Sequence, residues 1–96
     1  MEALPDKDPD EVLDYPIDFS QWLVSPATLN VSAGCGVEVS GTGLIVDSVT
    51  VTTTHIIAWL SGGTLGSSYV LKYTAVDTNG TVRTGVRRFK MKIKEK

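Results

Sequence analysis

Tyr69-Val70-Leu71-Lys72-Tyr73-Thr74-Ala75 and, beyond an Asp77-Thr78-Asn79-Gly80 break, Arg88-Phe89-Lys90-Met91-Lys92-Ile93-Lys94 are two runs with a period of two. In the first, Tyr69, Leu71, Tyr73 and Ala75 share one face and Lys72 and Thr74 the other. In the second, Phe89, Met91 and Ile93 oppose Arg88, Lys90, Lys92 and Lys94. Successive side chains of a strand point to opposite faces, so this alternation is that of strands with one buried side. Asn-Gly between two such runs accepts the positive φ values of a tight hairpin turn, and the pair predicts an antiparallel hairpin. Gly85 in the returning run marks a place for a bulge.

The rest of the chain repeats this pattern in shorter form. Tyr15, Ile17 and Phe19 alternate with Pro16 and Asp18. Proline has no N–H for a ladder, which confines this strand to a sheet edge, with Trp22 and Leu23 closing it against the core. Short β-rich runs follow at residues 28–32 and 37–40, separated by Gly34-Cys35-Gly36. Gly41-Thr42-Gly43 leads into Leu44-Ile45-Val46, and residues 48–54 are mostly Val and Thr, whose branched side chains suit a pleated surface. Residues 55–60 include Ile56, Ile57, Trp59 and Leu60, too apolar on both faces for a simple surface strand. No segment has sustained helical periodicity. About seven short strands at regular intervals predict an all-β fold, an immunoglobulin-like antiparallel β-sandwich. Tyr69, directly after Gly66-Ser67-Ser68, stands where such a sandwich places its tyrosine corner. Cys35 is the single cysteine, so no intrachain disulfide forms, and Trp22, Trp59, Phe19 and Phe89 are expected to fill the core.

A chain of 96 residues that is 42% hydrophobic can close one thin core without metals or disulfides. No apolar run approaches the ~18 residues of a membrane span. The acidic start lacks the basic and apolar regions of a signal peptide, so export by that route is not expected. Pro5 and Pro9 bias the residues before them away from helix, and residues 1–14 are expected to form an extended acidic arm, with the sandwich domain at 15–96.

Charge is segregated along the chain. Residues 1–20 carry seven acids against Lys7, and residues 83–96 carry seven bases against Glu95. Two readings are open. Opposite charge at the two ends can steer contacts between chains, or it can be satisfied within one chain if the first segment lies beside the last strand.

Other chemistries fit less well. Asp6, Asp8 and Asp10 open with the spacing of a calcium loop, but that loop needs glycine at its sixth position and glutamate at its twelfth. Glu11 and Ile17 stand there, so no metal is expected. The two G-x-G pairs precede no helix that could present its N-terminus to a phosphate, and turns explain them. The basic stripe Arg88, Lys90, Lys92, Lys94 has the aligned charge that phosphates require. Single-strand readers interleave aromatics on the same face, whereas Phe89 points away, and a pI near 5.2 also argues against nucleic acid. One histidine, His55, and one cysteine, with acids gathered on an arm, do not make a convergent catalytic set. No enzyme activity and no cofactor are expected.

Two motifs in order point to a family. Lys7-Asp8-Pro9-Asp10-Glu11-Val12-Leu13-Asp14-Tyr15, then Ile17-Asp18-Phe19, resembles the opening of a small family of tailed-phage proteins, the fiber-tail adaptor and minor tail or head-tail proteins. Trp59-Leu60-Ser61-Gly62-Gly63-Thr64-Leu65-Gly66-Ser67-Ser68-Tyr69 resembles its second motif. The chain departs from the family at Phe19, where tryptophan is usual, and in its longer stretch between residues 27 and 46. The resemblance implies a virion structural protein in the tail or head-tail connector region, present in several copies in a ring. It would join the tail or portal to tail fibers through contacts with other phage structural proteins. Partner-binding residues are then expected on the arm, at Lys7, Asp8, Pro9, Asp10, Glu11 and Asp14, and on the basic strand, at Arg87, Arg88, Lys90, Lys92 and Lys94. A capsid decoration or surface-adhesion module is the alternative, with the glycine-rich loop at residues 62–67 as its contact.

Overall fold

A computed structural model of the chain describes residues 2–24, 27–31, 34–78 and 83–95. Among the described residues there are seven strands: β1 (Glu2–Ala3), β2 (Leu13–Asp18), β3 (Gly36–Val39), β4 (Leu44–Val51), β5 (His55–Gly62), β6 (Ser68–Val76) and β7 (Thr84–Lys92). They form a four-stranded sheet of order β1-β7-β6-β3 and a three-stranded sheet of order β2-β5-β4. Lettered from B at β2, the strands pair as B-E-D against C-F-G. This order is consistent with the immunoglobulin-like arrangement.

The period-two runs carry the architecture. β6 and β7 pair antiparallel over nine residues each without a register break, from Ser68 opposite Lys92 to Val76 opposite Thr84. Tyr69, Leu71, Tyr73, Ala75, Phe89 and Met91 are buried, while Arg88, Lys90 and Lys92 are exposed. The expected Asn79-Gly80 turn lies outside the described residues. Pro16 sits on β2, which pairs only with β5, so its missing N–H falls on a free edge.

The bulge is not at Gly85 but at Asp47. Gly85 pairs in register with Ala75, and a Cβ there would lie 2.6 Å from Cε2 of Trp22, so close packing explains this glycine. In β4 the register shifts between Val46, opposite Leu60, and Ser48, opposite Trp59. The extra residue reconciles two apolar phases that a continuous strand could not bury together. Leu44 and Val46 pack toward the core before the bulge and Val51 after it, while Val49, opposite Ala58, remains exposed.

Two further expectations are corrected. Of the run expected at 28–32, the described residues 28–31 form no strand, and Ser32 lies outside the described residues. Leu29 makes an isolated bridge to Asp77, its N–H bonds Thr53 O at 2.9 Å, and Asn30 N–H bonds Val76 O at 2.8 Å. Backbone groups divided between the ends of both sheets cannot also sustain a ladder, and Leu29 is instead a buried plug. The strand gained in its place is β1, parallel to β7 with Glu2 opposite Phe89 and Ala3 opposite Lys90. Trp59 is not in the core. It lies on the outward side of β5 and is 40% exposed, while Ile56, Ala58 and Leu60 on the inward side are fully buried.

Tyrosines stitch the layers. The Tyr73 hydroxyl donates to the Tyr15 carbonyl at 2.9 Å, joining the sheets, and its ring meets Phe89 edge-on at 5.5 Å. The Tyr69 hydroxyl donates to Thr42 O at 2.6 Å and accepts from Thr64 N–H at 3.1 Å, tying the loops at one end of the sandwich. Burying each phenol in this way is favourable because its polar end keeps a partner.

Candidate interaction surfaces

The arm runs along the last strand. Leu4 N–H bonds Lys90 O at 2.9 Å, Lys7 N–H bonds Lys92 O at 3.1 Å, and Lys94 N–H returns to Lys7 O at 2.9 Å. Lys7 is fully buried, and its ammonium donates to Gly62 O at 2.7 Å and Asp8 O at 2.9 Å. Burial pushes the Lys7 amine below its ordinary value, with Glu11, Asp8, Asp10 and Asp47 acting the other way. Lys7 is therefore an internal anchor for the arm rather than an outward charge.

Asp8, Pro9, Asp10 and Glu11 form a tight turn that the sequence could have disclosed, with aspartate first and proline second. Glu11 N–H bonds Asp8 O at 3.0 Å, Asp8 Oδ1 accepts from Asp10 N–H at 2.9 Å, and Glu11 Oε1 accepts from Asp8 N–H at 2.9 Å. Asp10 is exposed beyond this turn, and Asp14 projects outward from β2.

The five basic-strand residues divide. Arg88, Lys90, Lys92 and Lys94 are all exposed, and among the described residues none of them is in an ion pair. Lys72 lies opposite Arg88 on the same outer face, with Glu38 opposite Lys72. Arg87 shares the parity of Phe89 and turns inward. Its guanidinium carbon lies 5.1 Å from the Phe89 ring and 5.9 Å from Phe19, and it donates to Asp18 O at 3.3 Å and to Glu2 Oε1 at 2.7 Å. Some of the end-to-end charge is thus satisfied within the chain, while the basic outer face remains.

The structure shows a second surface that the expectation of a core Trp59 conceals. Outward residues of the three-stranded sheet place Trp59 between Asp14 and Ser48, and Ile57 between Pro16 and Thr50. Ile45 is 56% exposed beside them. Asp47 accepts from Ser61 Oγ at 3.0 Å at one side. At the other side the Asp18 carboxylate lies 3.9 Å from His55 Nε2. The Ser20 N–H holds the Asp18 carboxyl below its usual range, with smaller help from His55 and Arg87. The signal was available: Ile57 and Trp59 alternate with Ile56, Ala58 and Leu60.

The glycine-rich motif has a structural task. Gly62 has φ of +74°, and a Cβ there would meet Gly43 O at 2.6 Å, so the chain turns off β5 only with glycine. His55 and Cys35 find separate partners, the Thr54 hydroxyl at 2.7 Å and the backbone of Val76. Among the described residues no three His, Cys, Asp or Glu side chains form a group able to hold a metal, and no helix is long and apolar enough to cross a membrane.

Residues 7–92 match the family model of the podophage GP4 fiber-tail adaptor protein gp77. The chain belongs to that family. A comparison with curated proteins finds no match. The matched span takes in the Lys7 anchor, the turn that follows, the Trp59–Tyr69 loop and all of β7, so both motifs read from the sequence fall inside it. Membership gives this adaptor a structural role in the phage tail.

Proposed function

We propose that the chain joins the tail or portal region of a tailed phage to its tail fibers, in several copies arranged as a ring around the tail axis. Family membership over nearly the whole chain carries the first part. The second part is supported by separated surface charge. Exposed acids, Asp10 and Asp14 among them, stand apart from a basic face at Arg88, Lys90, Lys92 and Lys94. Copies in a ring make heterologous contacts, one surface of each meeting a different surface of the next, and such contacts call for unlike surfaces on one chain.

The contacts use folded surfaces rather than a free arm. Removing residues 1–14 would also remove β1, the buried Lys7 and the start of β2, so point substitutions are the sounder test. Particles assembled with the Arg88→Glu/Lys90→Glu/Lys92→Glu chain should lack fibers or the protein itself, although the purified variant keeps its β-sheet circular dichroism. Fully fibered, infective particles containing the folded variant would overturn this use of the basic face. Labelled protein spread over the head lattice would overturn the tail placement and favour a decoration role.

A further inference from the structure

We infer that the two outer sheet faces of the chain are halves of one contact. The acid-rimmed apolar face of β2-β5-β4 receives the basic outer face of β6 and β7 of a second copy. This rests on the multi-copy reading above and assigns its surfaces.

Strand parity sets the two halves. On one side Trp59 and Ile57 project outward from the central strand β5, with Pro16 beside Ile57 on the edge strand β2. Asp14, Asp18 and Asp47 stand around them. On the other side Arg88 and Lys72 are directly opposed, and Lys90 and Lys92 continue the stripe. Val70, opposite Lys90, and Val86, 41% exposed, give the basic face an apolar ground. A half-exposed indole with Asp14 across from it on β2 and Asp47 at the neighbouring β4 bulge suits a guanidinium or ammonium, which stacks on the ring while its charge meets the acids.

The symmetry of the contact follows from where the faces lie. A two-fold dimer through either face would set acids on acids or bases on bases. Joining unlike faces avoids this, and because they are on opposite sides of the sandwich, each added copy leaves one of each face free. Growth is head to tail and stops only if the turn between copies closes a ring. Three strands ~4.8 Å apart and about six residues long present a face of roughly 15 × 20 Å. That is at the small end for a specific interface, so single contacts between free chains are weak and closure or a tail template completes the assembly.

The test uses the full chain and two charge-reversed variants, Arg88→Glu/Lys90→Glu and Asp14→Lys/Asp47→Lys, each checked for folding by circular dichroism. The first cancels the basic face and keeps the acidic one, and the second cancels the acidic face and keeps the basic one. Sedimentation equilibrium in low salt should show wild-type self-association that weakens about tenfold or more in 0.5 M NaCl, because the steering charges are screened. Each variant alone should remain monomeric, and an equimolar mixture should associate and shift Trp59 emission to the blue. Wild-type chains that stay monomeric at several hundred micromolar in low salt, association of either folded variant alone, or a mixture that does not associate would each overturn the inference. If those results appear while wild-type protein still enters fibered particles, the adaptor reading stands and only the face pairing fails.

Discussion

Raising the pH above 10 and replacing Tyr73 with phenylalanine test the inter-sheet contact from two directions. Tyr73 is fully buried, and burial lifts its phenol far above the ordinary value of 10.0, with Tyr15 adding to the effect. A group whose folded pKa is raised contributes stability that is complete below the unfolded value and is lost as pH climbs toward the folded one. The unfolded chain ionises near pH 10 while the folded chain holds its proton. Unfolding therefore gains about 2 kcal/mol at pH 11.5 from this one group. A domain of this length carries about 5–14 kcal/mol in all, so the effect is measurable. Tyr73→Phe removes the titration and also the hydroxyl that serves the Tyr15 carbonyl at 2.9 Å. An unserved buried carbonyl costs about 1–3 kcal/mol. At pH 7 the variant should be the less stable by that amount, and by pH 11.5 the gap should have closed by about 2 kcal/mol. Urea unfolding followed by tryptophan fluorescence from pH 7 to 11.5 reads the difference directly. Alkaline titration of Tyr15 and of the lysines affects both proteins and cancels in that difference. A gap that stays constant with pH would refute the burial of Tyr73 between the sheets.

Other substitutions check separate elements. Lys7→Ala removes both ammonium hydrogen bonds and the buried stem and should cost about 2–4 kcal/mol in urea unfolding, with faster hydrogen exchange along residues 2–7 and 92–94. Gly85→Ala forces the Trp22 ring away from β7 and should cost about 1–3 kcal/mol and redden tryptophan emission. Trp59→Ala should lose less than about 1 kcal/mol, whereas Leu71→Ala, fully buried, should lose about 3 kcal/mol. Equal losses at those two sites would show that the outer face of β5 is covered within the chain.

What was legible in the sequence was local. Strand identity, the buried and exposed faces of β6 and β7, the edge position of Pro16 and the absence of helix among the described residues all follow from a two-residue period and the chemistry of single residues. Neighbours within a few positions decide these properties. The family was legible for a related reason: its motifs are the Asp8–Glu11 turn and the Gly62 loop, where backbone geometry restricts which residues can stand.

Only the tertiary structure decided what covers each face. The Lys7 ammonium meets a carbonyl 55 residues away, and the Tyr73 hydroxyl meets one 58 away. Alternation says that Trp59 and Leu60 point apart, but not which of them finds a second sheet opposite. That depends on the order in which strands pair, and the same dependence tucked the expected arm beside β7 and moved the bulge to Asp47. Burial is a property of the partner across the gap, and the partner is chosen by contacts far apart along the chain.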